Sequence, residues 1–199
     1  MSELKTLREV AGLGQEPGAL RQSALIMIDC QNTYREGVMQ LEGVEPALDE
    51  AARLLARARS LAIPIIHIQH DAGPGSPYDV RARIGAIADK VAPRGGEPVI
   101  VKNFPNSFLQ TELHERLQKL GVKDVVLAGF MTHMCVNSTA RGAFNLGYRP
   151  TVVAAATATR ALPTARGGVV PAAALQEASL ATIGDLFGVV VTGVDELPE

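Results

Sequence analysis

The sequence predicts an α/β fold: a doubly wound, mostly parallel six-stranded sheet with helices on both faces, a Rossmann-like three-layer sandwich. Three observations predict it. Six short apolar runs are near-continuous rather than alternating, as in strands covered on both faces. Longer segments of helical period separate them. The two kinds of segment alternate repeatedly, which calls for right-handed crossovers and a ligand crevice at the strand carboxyl ends.

Residues 1–22 read as an N-terminal strap, with Leu4, Leu7, Val10 and Leu13 at helix-like spacing and Gly12, Gly14, Pro17 and Gly18 breaking it. The strap is expected to pack on the domain that follows, residues 23–199, or on a neighbouring subunit. The predicted strands are ALIMID (24–29), IPIIHIQH (63–70), PVIVKN (98–103), DVVLAGF (124–130), TVVAAA (151–156) and GVVVTG (188–193). Helices are predicted over 45–62, 107–121, 132–147 and 171–187. In the second of these, Leu109, Leu113, Leu117 and Leu120 form one stripe with Glu112, Glu115, Gln118 and Lys119 opposite, an amphipathic pattern. Gly121 and Gly147 stand where helices stop.

Composition narrows the function classes. Lys and Arg number 19 against 21 Asp and Glu, a net charge of −2, and no basic block exists to build a nucleic-acid groove. No apolar stretch approaches the roughly 20 residues that span a bilayer, and the polar N-terminus carries no export signal. A cytoplasmic protein without membrane or nucleic-acid partners is therefore expected. Two cysteines make neither a disulfide framework nor a metal cage. The glycine-rich dinucleotide and triphosphate loops are absent, so no nucleotide cofactor is expected.

The strand carboxyl ends supply the candidate chemistry. Asp29 ends an otherwise apolar run, where a carboxylate is costly unless paired, and Lys102 ends the third run in the same way. Cys135 follows the fourth strand at the start of a predicted helix. There, free N–H groups and a nearby ammonium are expected to lower its thiol toward about 6. Asp29 then serves as general acid and base, Lys102 as electrostatic support, and the N–H groups around Met131, Thr132 and Cys135 as an oxyanion hole. Taken singly, each has a plainer reading: a strand-end carboxylate often caps a turn, a lone lysine is usually solvated, and Cys30 reads as a core thiol. His67 and His70 lie three residues apart on a strand and face opposite sides, which speaks against a shared metal. His133 is as readily a loop histidine as a pocket residue.

Three segments, ALIMIDCQNTY, VKNFPNSFLQTEL and LAGFMTHMCVNSTARGAFNLGY, occur in the order found in the isochorismatase-like cysteine hydrolases, and the resemblance runs over most of residues 23–193. The resemblance implies an Asp29, Lys102, Cys135 triad acting through a covalent cysteine intermediate, a cis peptide at Phe130–Met131, and Gln31 beside the triad. Relatives commonly assemble, so a homo-oligomer, dimer or tetramer, is expected. Nicotinamidases of that family carry an Asp-x-His plus His metal site, whereas this chain has His70-Asp71-Ala72-Gly73-Pro74, so no metal is expected. Isochorismatases proper generally lack the cysteine, and Cys135 favours attack on a C–N bond. An acidic residue that many relatives carry after the fifth strand is replaced by Ala154, Ala155, Ala156 and Thr157.

The sequence is thus read as a metal-independent cysteine hydrolase cleaving an amide, ureido or N-carbamoyl bond of a small molecule. Tyr34, His70, Phe104, Phe108 and His133, with Gln31, are the candidate substrate-binding residues because they flank the triad segments. An enol-ether hydrolase and a catalytically silent ligand-binding member are the alternatives.

Overall fold

The computed structural model describes residues 4–199. Its main sheet contains β1 (Ser23–Ile28), β2 (Ile65–His70), β3 (Val99–Lys102), β4 (Asp124–Phe130), β5 (Arg149–Ala158) and β8 (Val189–Val191). Their order is β3-β2-β1-β4-β5-β8 and every pairing is parallel. The expected six-stranded α/β sheet is present and wholly parallel. A separate antiparallel hairpin, β6 (Leu162–Pro163) with β7 (Val169–Val170), was not anticipated, because two-residue strands carry no readable period.

β1 occupies the centre because all six of its residues are buried. Leu25 and Met27 face α2 (Val44–Ser60), whose buried Ala47, Leu48, Ala51, Leu54, Leu55 and Ala58 recur at helical spacing. Ile26 and Ile28 face the opposite layer, built from α3 (Leu113–Leu120), α4 (Asn137–Asn145) and α5 (Ala172–Thr182). Apolar burial on both faces, worth roughly 1.5–3 kcal/mol per large side chain, holds the three layers together.

Three helical expectations need correction. α3 begins at Leu113 rather than at 107, because Gln110 adopts φ +55° and Thr111 turns its hydroxyl back to the Ser107 carbonyl. The 132–147 segment divides into a wide turn, Thr132–Val136, and α4. The 171–187 segment likewise ends α5 in a wide turn, Ile183–Phe187. In the strap, α1 (Leu7–Val10) is a single turn closed by Thr6 and Glu9. Polar bonds tether it: Leu7 N–H to Asp185 (2.9 Å) and Arg8 to the Leu186 carbonyl (2.9 Å). Leu4, Leu7 and Val10 stay exposed.

The chain winds from β1 outward to β2 and β3, then returns to β4 beside β1. That reversal puts the topological switch point at the carboxyl ends of β1 and β4, where open α/β sheets bind their ligands. Gly129 permits the two strands to close there. It has φ +120°, and a Cβ would lie 1.9 Å from the Ile28 carbonyl oxygen, a space no side chain can occupy.

Candidate active site

Asp29 follows β1 directly and adopts φ +48°, a region costly for residues other than glycine. Regular alternation would place its side chain with Leu25 and Met27. The left-handed turn instead brings the carboxylate to Lys102, which shares a face of β3 with Ile100. Cys30 keeps to the α2 face and is buried there, where the missing solvent and the adjacent Asp29 charge push its thiol far up.

Lys102 Nζ lies 2.7 Å from Asp29 Oδ2, and neither side chain has any exposure. The contact is a buried ion pair through Asp29 Oδ2, and Asp29 Oδ1 has no hydrogen-bond partner among the described residues. The same Nζ is 3.4 Å from Cys135 Sγ. The three groups therefore converge although 106 positions separate Asp29 from Cys135. Cys135 sits in the wide turn before α4 and is 5% exposed.

The β3–α3 loop ties these elements together. Ser107 N–H and Oγ both bond Thr139 Oγ1, at 3.1 and 2.8 Å, and a Cβ on Gly142 would meet the Asn106 side chain at 2.6 Å. The strand that ends in Lys102 is thus seated on the helix that follows Cys135.

One electrostatic expectation is overturned. The Cys135 thiol is pushed up to about 12, first by burial and then by the Asp29 carboxylate, with Lys102 pulling the other way. α4 begins only at Asn137, two residues beyond Cys135, so the thiol does not stand at the helix start that the sequence predicted. The thiol is therefore neutral at rest.

The Phe130–Met131 peptide is cis. Among the described residues, the N–H groups of Met131 and Thr132 donate to no protein partner. Thr132 Oγ1 is buried and likewise unpartnered. These donors precede Cys135 by four and three residues.

The remaining predicted residues fall into two groups. Near the triad, His70 Nδ1 lies 3.1 Å from Lys102 Nζ, and His133 Nδ1 bonds Thr159 Oγ1. Burial lowers the pKa of both imidazoles, helped by Lys102 for His70 and by Arg160 for His133. Phe104 is partly exposed in the loop after β3. The other three are committed to the protein itself. Gln31 spends its amide on backbone, accepting from His70 N–H and donating to the His70 and Gly85 carbonyls. Tyr34 is buried against Phe130 and Tyr78. Phe108 stacks on Tyr148 at 5.8 Å. Among the described residues no group of three or more His, Cys, Asp or Glu is arranged to hold a metal ion.

Sequence reasoning missed Tyr78 and Arg160. Tyr78, from the β2–β3 loop, sets its ring edge-on to His70 at 5.0 Å. Arg160 follows Thr159 and forms no ion pair among the described residues. Its Nε is buried without a partner, and its charge reaches His133 and Tyr78. No motif marks either residue; only the fold brings them beside His70 and His133.

A family model described as Isochorismatase domain matches residues 23–195. The chain is 33% identical over 193 residues to a secreted isochorismatase effector, Isc1, of Verticillium dahliae, covering 96% of this chain and 99% of that one. It is 31% identical over 163 residues to a maleamate amidohydrolase of Pseudomonas putida, covering 70% and 74% of the two chains. The crystal structure of an isochorismatase from Pseudomonas putida superposes with a TM-score of 0.94 at 38% identity, covering 98% of this chain and all of that one.

Proposed function

Because the chain belongs to the isochorismatase family and is a hydrolase of that family, we propose that it cleaves a C–N bond of a small molecule through a covalent intermediate on Cys135. One observation carries this reading: a single buried ammonium touches both a carboxylate with free lone pairs and a thiol. Transfer of the thiol proton to Asp29 turns one neutral acid and one anion into another such pair. No net charge is added among buried side chains, and Lys102 faces the anion in either state. The transfer relieves the part of the Cys135 shift that comes from the Asp29 charge, which is second to burial.

The thiolate then attacks the carbonyl carbon. The oxygen that becomes negative is met by N–H groups of the Met131–Cys135 turn. Collapse of the tetrahedral adduct expels the nitrogen, which takes the proton from Asp29, and leaves an acyl group on sulfur. Water, deprotonated by Asp29, attacks the thioester, and the proton returns to the departing sulfur. This route needs no metal or organic cofactor.

Relatives named streptothricin hydrolase, maleamate amidohydrolase and ureidoacrylate amidohydrolase support the C–N reading. Arg160 narrows the substrate. An unpaired guanidinium at the rim suits a carboxylate on the molecule being cleaved. A homo-oligomer, dimer or tetramer, is proposed because the strap exposes Leu4, Leu7 and Val10; light scattering checks it. A cytoplasmic site is proposed from the two free, buried thiols, and fractionation of the source cells checks that. A screen of amides, ureides and N-carbamoyl compounds for ammonia release, with Cys135→Ser as control, tests the activity. Release that persists in Cys135→Ser rejects the covalent route.

A further inference from the structure

Lys102 reaches further than the other two groups. β3 is the edge strand and β1 lies two strands inward, about 9.6 Å at the usual strand spacing, so the lysine stem crosses the end of β2 to meet Asp29. The residue it crosses is His70, its register partner on β2. An ammonium only donates, so His70 Nδ1, at 3.1 Å, must accept, and the ring proton resides on Nε2. His70 is itself held. Gln31 Oε1 accepts from His70 N–H at 2.9 Å, Gln31 Nε2 donates to the His70 carbonyl at 3.0 Å, and Tyr78 meets the ring edge-on. Gln31 is fully buried and lies two residues beyond Asp29. One loop therefore carries the carboxylate and also grips the histidine under the lysine.

We propose that His70 is a positioning residue for the hydrolysis: its neutral Nδ1 occupies one direction of the Lys102 ammonium and leaves the others for Asp29 and Cys135, while Gln31 fixes His70. The proposal rests on the reading that Lys102 serves Cys135. The groups facing the imidazole are Lys102 from β3, Asp29 after β1, Asp71 next in the chain and Tyr78 from the β2–β3 loop. Asp71 is already paired with Arg81. Burial and the Lys102 charge keep the ring neutral. A proton on Nδ1 would replace the acceptor by a donor and set a second positive charge against the first, so the arrangement disarms on the acid side.

Nitrogen-15 NMR of histidine-labelled protein tests the geometry without a substrate, with the His70 signals assigned by their loss in His70→Asn. The expected result is a neutral ring protonated on Nε2 at pH 7; a charged ring or the Nδ1–H form overturns the proposal. Alkylation of Cys135 by iodoacetamide, read by peptide mass, tests the consequence. His70→Leu slows it by about tenfold or more, and His70→Asn, whose Oδ1 can stand in for Nδ1, recovers it to within about threefold. Equal rates in the two variants overturn the proposal. With a substrate in hand, His70→Leu lowers kcat at unchanged KM, and His70→Asn loses the part of the acid limb that His70 sets. A rise in KM alone would make His70 a substrate contact and overturn the positioning role. Hydrolysis surviving in Cys135→Ser would instead defeat the catalytic reading and leave the NMR result intact.

Discussion

Replacing Lys102 by methionine keeps most of the volume of the stem and removes its ammonium, which strands the Asp29 carboxylate in a site with no exposure. Across 2.7 Å, an effective dielectric of about 20 gives a mutual attraction of about 6 kcal/mol. Desolvation of both groups offsets part of it. The cost of losing one partner of such a pair is about 3–5 kcal/mol, most of it the price of the charge left behind. For a chain of 199 residues, that lowers the melting temperature by about 10 °C. Thermal unfolding followed by circular dichroism at pH 5 and pH 8 reads the effect. The sign is fixed by linkage. A stranded carboxylate escapes by binding a proton that the unfolded chain does not bind, so the deficit of Lys102→Met grows as pH rises. Asp29→Asn combined with Lys102→Met removes both charges and recovers most of the stability while hydrolysis stays lost. A single variant melting within about 2 °C of the wild type at pH 8 would refute the reasoning. So would a double variant no more stable than the single one.

Cys135→Ser is expected to lower C–N hydrolysis by more than about a thousandfold while leaving the melting temperature unchanged; an enol-ether hydrolase would keep its rate. Arg160→Met is expected to raise KM about tenfold for amides that carry a carboxylate and to leave neutral amides unaffected, measured by steady-state kinetics on matched pairs. Gly129→Ala places a methyl group 1.9 Å from the Ile28 carbonyl oxygen and should cost more than about 4 kcal/mol, seen as loss of soluble protein or of cooperative melting. Glu97 is held at about 2 by hydrogen bonds from Arg59, with Arg94 N–H and His67 assisting. A carboxylate lowered in this way contributes stability fully present above its ordinary value of 4.5 and lost as pH falls toward about 2. Urea midpoints should therefore show a deficit of Glu97→Gln that is constant from pH 7 to 5 and shrinks below pH 4.5; a deficit independent of pH would contradict the assignment.

Much of the fold was legible because the inner strands, β1 and β4 above all, are buried on both faces and so read as unbroken apolar runs; β3 reads the same way although at the sheet edge it exposes Val99 and Val101. Asp29 and Lys102 were legible for a related reason, a charged group closing an apolar run at the rim of a parallel sheet, and Cys135 by its place after the fourth strand at the start of a predicted helix. What stayed hidden depends on tertiary context. The shift of the Cys135 thiol was expected in the wrong direction, since sequence shows a following helix but neither how deeply the sulfur is buried nor how close the Asp29 carboxylate stands. Gln31 was legible as a neighbour of the triad, yet its partners are backbone groups 39 and 54 positions away. The helical stripe through Leu109 extended α3 too far because a period cannot register the left-handed turn at Gln110. Arg160 and Tyr78 had no local signature at all.

A free thiol that alkylates slowly at neutral pH is the behaviour expected of this hydrolase, because proton transfer to Asp29 makes the nucleophile only as it reacts. The direct measurement is acid-quenched intact mass during turnover of a substrate found by ammonia release, with the modified peptide mapped. The account predicts an acyl adduct on the peptide containing Cys135, formed with release of the nitrogen and absent in Asp29→Asn. Turnover that releases ammonia with sulfur 135 never modified, or that continues in Asp29→Asn at an undiminished rate, would contradict it.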